Sequence, residues 1–180
     1  LVSVVTPCSI YGHLVEEAIE SVFAQTFVDL EIIVVEGGST SAESRALLAA
    51  ATSKADPSRL RVIWQDRPHR AGANRNTGIS HARGKYICCL DADDRLAPTY
   101  VEKAVSVLDE GYDVVSPALR FFGKRFEVWA PQERPTLDML LEGNQVLTCA
   151  LFRKALWKES GGYRDSDPAT GHLHEDWLFW

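Results

Sequence analysis

Asp91, Asp93 and Asp94 fall within four residues, directly after the apolar run Tyr86-Ile87-Cys88-Cys89-Leu90. Carboxylates that close repel one another until a cation, a proton or solvent relieves them. A hard divalent ion shared with substrate phosphates is the simplest relief, and points to Mg²⁺ or Mn²⁺. The preceding run reads as a buried parallel strand, and ligands in open α/β sheets gather beyond the carboxyl ends of strands. The same acids would also suit a turn before the helix that starts near Pro98. A calcium loop is excluded, because the next ligand position is Arg95 and the required glycine is Leu96. A phosphotransferase with Asp91 as nucleophile begins with the same strand and Asp-x-Asp, and stays open.

A second acidic pair, Glu175-Asp176, lies near the end of the chain beside Trp177. Two acids near a helix N-terminus are favoured by the dipole without any catalysis. Adjacent helix-start positions lie about 100° apart, so one acid can face a cleft while the other caps or orients. His172-x-His174-x-Asp176 has a spacing seen in metal-dependent hydrolases, but Trp177 stands where a further His is expected. Two phosphate-binding signatures are absent. Pro7-Cys8-Ser9-Ile10-Tyr11-Gly12 is not a dinucleotide turn, and Gly84-Lys85 leads into a strand instead of a helix.

The elements that must position these residues alternate along the chain. Val2 to Thr6 reads as a strand; Leu14, Val15, Ala18, Ile19, Val22 and Phe23 then recur at helical spacing. Glu31 to Val35 is a second strand, and Thr40 with Glu43 forms a capping-box pattern for a helix to about Ala55. Arg61 to Trp64 reads as a strand, Ala73 to Ala82 as a helix interrupted by Gly78, Tyr86 to Leu90 as a strand. Another helix follows Pro98, then a strand at Val114 to Ser116. This order predicts an α/β fold: a Rossmann-like, mostly parallel sheet with helices on both faces. Beyond Pro117 the rhythm changes to a hairpin over Phe121 to Trp129, a short helix at Leu137 to Leu141 and a strand at Val146 to Phe152.

At 180 residues and 20.0 kDa, residues 1–180 are expected to form a single domain. A net charge of -6 argues against a nucleic-acid surface. Cys8, Cys88, Cys89 and Cys149 have no zinc-like spacing and fit a reducing, cytoplasmic setting. No segment has the length of a membrane span, and the first residues form a strand instead of a signal. With Leu1 in place of Met and Trp180 inside an apparent helix turn, the chain is expected to be a fragment truncated at its C-terminal end.

Taken together, Val2-Ser3-Val4-Val5-Thr6-Pro7, Glu20 to Phe27, Glu31-Ile32-Ile33-Val34-Val35-Glu36-Gly37-Gly38-Ser39-Thr40, Asn74-Arg75-Asn76-Thr77-Gly78 and Leu90-Asp91-Ala92-Asp93-Asp94 resemble the family 2 glycosyltransferases of GT-A fold. Gly161-Gly162-Tyr163 followed by Glu175-Asp176-Trp177 is similar to that family's late segment. The resemblance implies an inverting transferase that moves a sugar from a nucleoside-diphosphate donor, taken as UDP-linked, to an acceptor hydroxyl. Asp93, with Asp91 and Asp94, would hold Mg²⁺ or Mn²⁺ against the diphosphate, Asp91 would face the ribose, and Asp176 would be the general base. Pro7, Ser9 and Glu36 align with positions that contact nucleotide, and Arg75 is the best cation for the diphosphate. Glu36-Gly37 departs from the Asp-Asp that many members carry there, which leaves the base open. Asn76 and Gly78 fit helix packing and close backbone approach.

The acceptor would be a glycan, a lipid-linked molecule or a small molecule, with the domain cytoplasmic or peripheral to the inner face of a membrane. Two other readings stay open: an Asp-x-Asp phosphotransferase or nucleotidyltransferase, and a non-catalytic nucleotide-sugar-binding module. Five tryptophans invite a sugar-stacking role, although core packing accounts for most. Trp177, beside the expected base, is the one suited to acceptor contact.

Overall fold

Mostly apolar strands joined by helical crossovers bury both faces, as three strands of this chain do, while a fourth, with Arg61 and the exposed Trp64, forms the edge of the same sheet. A computed structural model describes residues 1–9, 12–53, 55–124, 126–165 and 174–180. The strands β1 (Val2–Cys8), β2 (Leu30–Glu36), β3 (Leu60–Trp64) and β4 (Tyr86–Cys89) run parallel in the order β3-β2-β1-β4. In register, Val4 lies between Ile32 and Cys88, and Val5 between Ile33 and Cys89. Successive side chains point to opposite faces, so each apolar pair serves two cores at once.

On one face Val4, Ile32, Val34 and Cys88 pack with Val15, Ile19 and Val22 of α1 (Val15–Phe23), Leu48 of α2 (Ala42–Thr52) and Val101 and Leu108 of α4 (Tyr100–Asp109). On the other, Val5, Ile33, Val35, Ile87 and Cys89 meet Ile79 of α3 (Ala71–His81), together with Phe152 and Tyr163. Gly78 allows α3 to lie close on the sheet, because a Cβ there would collide with Val5 Cγ1. The mostly parallel α/β sheet covered on both faces is therefore the fold that the strand and helix order predicted.

The last third departs from that rhythm. After β5 (Val114–Val115), β6 (Leu119–Arg120) pairs antiparallel with β7 (Val128–Trp129) in a separate two-stranded ribbon. The ribbon starts earlier than the expected hairpin and has a wider loop, with Gly123 at φ +82°. Next come α5 (Leu137–Glu142), β8 (Leu151–Arg153) and α6 (Lys154–Ser160). β8 inserts antiparallel between β4 and β5. Its expected start at Val146 is corrected to Leu151. Val146 N donates to Asn144 Oδ1, Leu147 N to Ser116 Oγ, and Ala150 N to Leu147 O, so turns take the backbone bonds a ladder would need.

Two helix starts also shift. Ser41, not Thr40, caps α2, its Oγ accepting from Ser44 N at 3.1 Å, and that helix ends at Thr52. Asp165 Oδ1 accepts from Ala73 N at 3.0 Å in the first turn of α3, which begins at Ala71. The expected helix at the chain end is a single turn, with Leu178 N donating to His174 O and Trp180 N to Asp176 O. Among the described residues no helix is long and apolar enough to cross a membrane.

Candidate active site

Because β1, β2 and β4 run parallel, their carboxyl ends share one rim of the sheet, where the backbone turns outward and presents polar side chains. Pro7 and Ser9 leave β1, Leu90 to Asp94 follow β4, and α3 brings Asn74 and Arg75 alongside. Pro7, Ser9, Asn74, Arg75, Asp91 and Asp93, with Ala71, Ala92 and Glu175, line a pocket of about 390 Å³. The structure thus brings Pro7, Ser9, Arg75, Asp91 and Asp93 to one cavity, although they span much of the sequence.

Arg75 is the cation of this pocket, but its charge is already matched. It is 3% exposed, its Nη2 donates to Asp91 Oδ1 at 2.8 Å and its Nη1 to Glu175 Oε1 at 2.5 Å. Burial by itself lowers the guanidinium's pKa, yet the two acids outweigh it and raise the value above the ordinary one. Its position is compatible with a diphosphate contact only alongside these two acids. Among the described residues, Asp93 and Asp94 are then the acids of the turn that form no salt bridge.

Asp94 lines a second cavity of about 480 Å³, together with Leu96, Tyr100, Pro117, Leu119, Phe122 and Cys149 among others. Burial, then the charges of Asp91 and Asp93, push its pKa up to about 6. No cluster of three or more acidic, His or Cys groups among the described residues converges in metal-binding geometry, so the three-acid ligand set is not assembled by the chain alone. The residues nevertheless fit Mg²⁺ or Mn²⁺, which commonly take one or two carboxylates and complete their shell with water and substrate phosphates. The raised pKa of Asp94 marks negative charge without local compensation.

Glu36 does not line the pocket. It is buried, and its carboxylate accepts from Gly38 N at 3.2 Å, Ser39 N at 2.7 Å and Arg45 Nη1 at 2.6 Å, which fixes the loop after β2. At the next position a side chain has no room, since a Cβ on Gly37 would collide with Ser9 Oγ and Asn74 Nδ2. The wall beside Ser9 is therefore built from neutral groups, with Asn74 Oδ1 accepting from Gln65 Nε2 at 2.5 Å.

Asp176 sits on the single turn formed by residues 174–180. Its Oδ2 accepts from Asn144 Nδ2 at 3.0 Å and Thr148 Oγ1 at 3.3 Å, while neighbouring Glu175 turns to Arg75. Trp177 Nε1 donates to Leu140 O at 2.6 Å, which engages the indole with α5. His174 lies 5.9 Å from the Trp177 ring, centre to centre, and His172 lies outside the described residues. Asn144, Thr148 and Asp165 were not singled out from the sequence. Thr148, a polar residue inside the run from Val146 to Phe152, was the available signal.

Asn76 fastens α3 to the same region. Its Oδ1 accepts from Trp157 Nε1 at 2.7 Å and Tyr163 N at 2.9 Å, and its Nδ2 donates to Tyr163 O at 2.8 Å. The cysteines are all free, and burial pushes the Cys89 and Cys149 thiols up to about 11 and about 12. They serve as small apolar residues instead of nucleophiles.

An open α/β sheet of order β3-β2-β1-β4 with an antiparallel β8, and an acid-rimmed pocket at its carboxyl edge, defines a GT-A type of domain. The model of glycosyl transferase family 2 matches residues 3–165. A glycosyltransferase of Streptococcus pneumoniae, GlyG, is 31% identical over 96% of this chain and 64% of its own length. Staphylococcus aureus TarS in complex with UDP-GlcNAc superposes with a TM-score of 0.76 at 21% identity, covering 99% of this chain and 51% of that one. A mannosyltransferase of Pyrobaculum calidifontis, solved with GDP-Man and Mn²⁺, gives 0.70 at 20% identity over 94% and 49% of the two chains. The chain belongs to glycosyl transferase family 2, and it spans less than two thirds of the length of the curated relatives it matches.

Proposed function

We propose that this domain is an inverting, metal-dependent glycosyltransferase whose donor is a nucleoside-diphosphate sugar, taken as UDP-linked. The observation that carries the reading is the adjacency of two acidic elements. The pocket at the ends of β1 and β4 holds Asp91 and Asp93, and the turn bearing Asp176 is tied to its wall through Glu175 and Arg75. Pro7 and Ser9 would receive the nucleotide, with Asn74 beside them.

Asp93, with Asp91 and Asp94, would hold Mg²⁺ or Mn²⁺, and the ion when bound offsets charge developing on the leaving diphosphate. Asp176 would accept the proton of the acceptor hydroxyl as it attacks the anomeric carbon from the face opposite the diphosphate. The C–O bond to the diphosphate breaks as the new glycosidic bond forms, which inverts the anomeric centre. Asn144 and Thr148 orient the carboxylate for that transfer. The acceptor would be a glycan, a lipid-linked molecule or a small molecule, used in the cytoplasm or at the inner face of a membrane.

Calorimetric titration of UDP, GDP and CDP, with Mn²⁺ and with chelator, tests the donor class. Asp93→Ala is expected to abolish metal-dependent nucleotide binding. Asp176→Asn is expected to keep that binding and lower turnover of the nucleotide sugar by a factor of about 100 or more. Loss of nucleotide binding in Asp176→Asn would count against its assignment as the base.

A further inference from the structure

Arg75 touches two acids that come from distant parts of the chain and line the same pocket. Asp91 opens the acid turn after β4, whereas Glu175 immediately precedes Asp176. A buried guanidinium without partners would be strongly destabilising, and these carboxylates supply the compensation. Its ring neighbour Tyr163, 5.7 Å from the guanidinium carbon, stacks on Phe179 at 4.3 Å between centroids. Phe179 N donates to Asp176 O, so this stack also ends on the base-bearing turn.

The turn is thus held on two sides. Asn144 and Thr148 fix the Asp176 carboxylate, and Trp177 anchors to α5. Among the described residues, only the Glu175–Arg75–Asp91 chain of contacts links the turn by ion pairs to the acid loop. We propose that Glu175 is a positioning residue: acting through Arg75, it sets the place of Asp176 relative to the acid turn, and Arg75 is the strut between them. This inference rests on the glycosyltransferase reading of the same pocket. It assigns Arg75 a role other than a primary diphosphate contact.

A misplacement of about 1 Å between reacting groups can lower turnover about 100-fold while leaving ground-state binding intact. The strut therefore acts on kcat more than on nucleotide affinity. Glu175→Ala removes it, and Glu175→Gln keeps a hydrogen-bond acceptor of the same size while removing the charge.

The test uses the full chain with Mn²⁺ and UDP-GlcNAc, UDP-glucose or GDP-mannose, following nucleotide release. UDP and GDP binding is measured in parallel by calorimetry. Glu175→Ala is expected to lower kcat by about tenfold or more, with donor KM and nucleotide affinity changed by less than about threefold. Glu175→Gln should recover part of the loss. Combined with Arg75→Lys, Glu175→Ala should lower turnover no further than Arg75→Lys alone, the signature of one shared path. A kcat within twofold of the parent in both Glu175 variants overturns the proposal, as does a joint fall of kcat, nucleotide affinity and melting temperature. A parent chain that binds neither nucleotide and releases none overturns the glycosyltransferase reading itself, a result distinct from either of those.

Discussion

Among the carboxylates of the described residues, Asp94 carries the clearest pH signature. Its carboxyl titrates at about 6, raised by burial and by Asp91 and Asp93 from an ordinary value of 3.8. Between those two values the folded chain holds a proton that the unfolded chain has released, so stability falls as pH rises through this window. Asp94→Asn removes that proton exchange. In metal-free protein, urea unfolding should show a flatter pH dependence between about 4 and 6 and a gain on the order of 1 kcal/mol at pH 7, allowing for solvent screening. Conversely, Mn²⁺ affinity of the parent should weaken below about pH 6, where the carboxyl retains its proton.

The acids themselves were legible in the sequence, because a strand buried on both faces leaves an uninterrupted apolar run that stops where polar groups begin. Arg75 was legible as a pocket cation but not as a paired one. Its partner Glu175 lies 100 positions away, and no local pattern reports such a contact. For Glu36, a carboxylate at a strand end reads the same from sequence whether it faces a ligand or caps its own loop, and here it caps the loop.

At the scale of elements, α3 joins the sheet to the chain's last third. Its buried positions are Gly72, Asn74, Arg75, Gly78 and Ile79, with few apolar side chains to mark a face. That composition explains why periodicity located the helix but not its first turn, whose partner is the distant Asp165. Asn76 makes the dependence measurable. Asn76→Ala would leave Trp157 Nε1 and Tyr163 N without their shared acceptor and Tyr163 O without its donor. Denaturant unfolding should show a loss of about 2–4 kcal/mol, with the m-value unchanged. β8 resisted reading for a related reason: the apolar run from Val146 continues through turns that Asn144 and Ser116 stabilise, and strand pairing begins only at Leu151.

For the whole molecule, parallel strands, helices on both faces and an edge site were all implied by the alternation of elements. The insertion of β8 was not, since antiparallel pairing depends on which strands meet and not on the pattern within any one of them. The proposed ligand should also report on the whole fold. At a free concentration 100 times its dissociation constant, a nucleotide bound only by the native state stabilises by about 2.7 kcal/mol. For a domain of this size the melting temperature should rise by about 5–10 °C with UDP and Mn²⁺ if UDP is the donor nucleotide. Chelator should abolish that rise, and its persistence without metal would argue against metal-assisted binding.

The position of β8 has a consequence for synthesis on the ribosome. Until Leu151–Arg153 emerges, β4 is an outer strand of the nascent sheet, fully apolar and with one row of N–H and C=O groups unpaired. β5 cannot cover it, because β5 bonds to β8 and not to β4. The strand that delivers the acids is thus open to wrong pairing until β8 emerges. A pause or break between α4 and β8 would leave a nascent chain prone to edge-to-edge association with its copies.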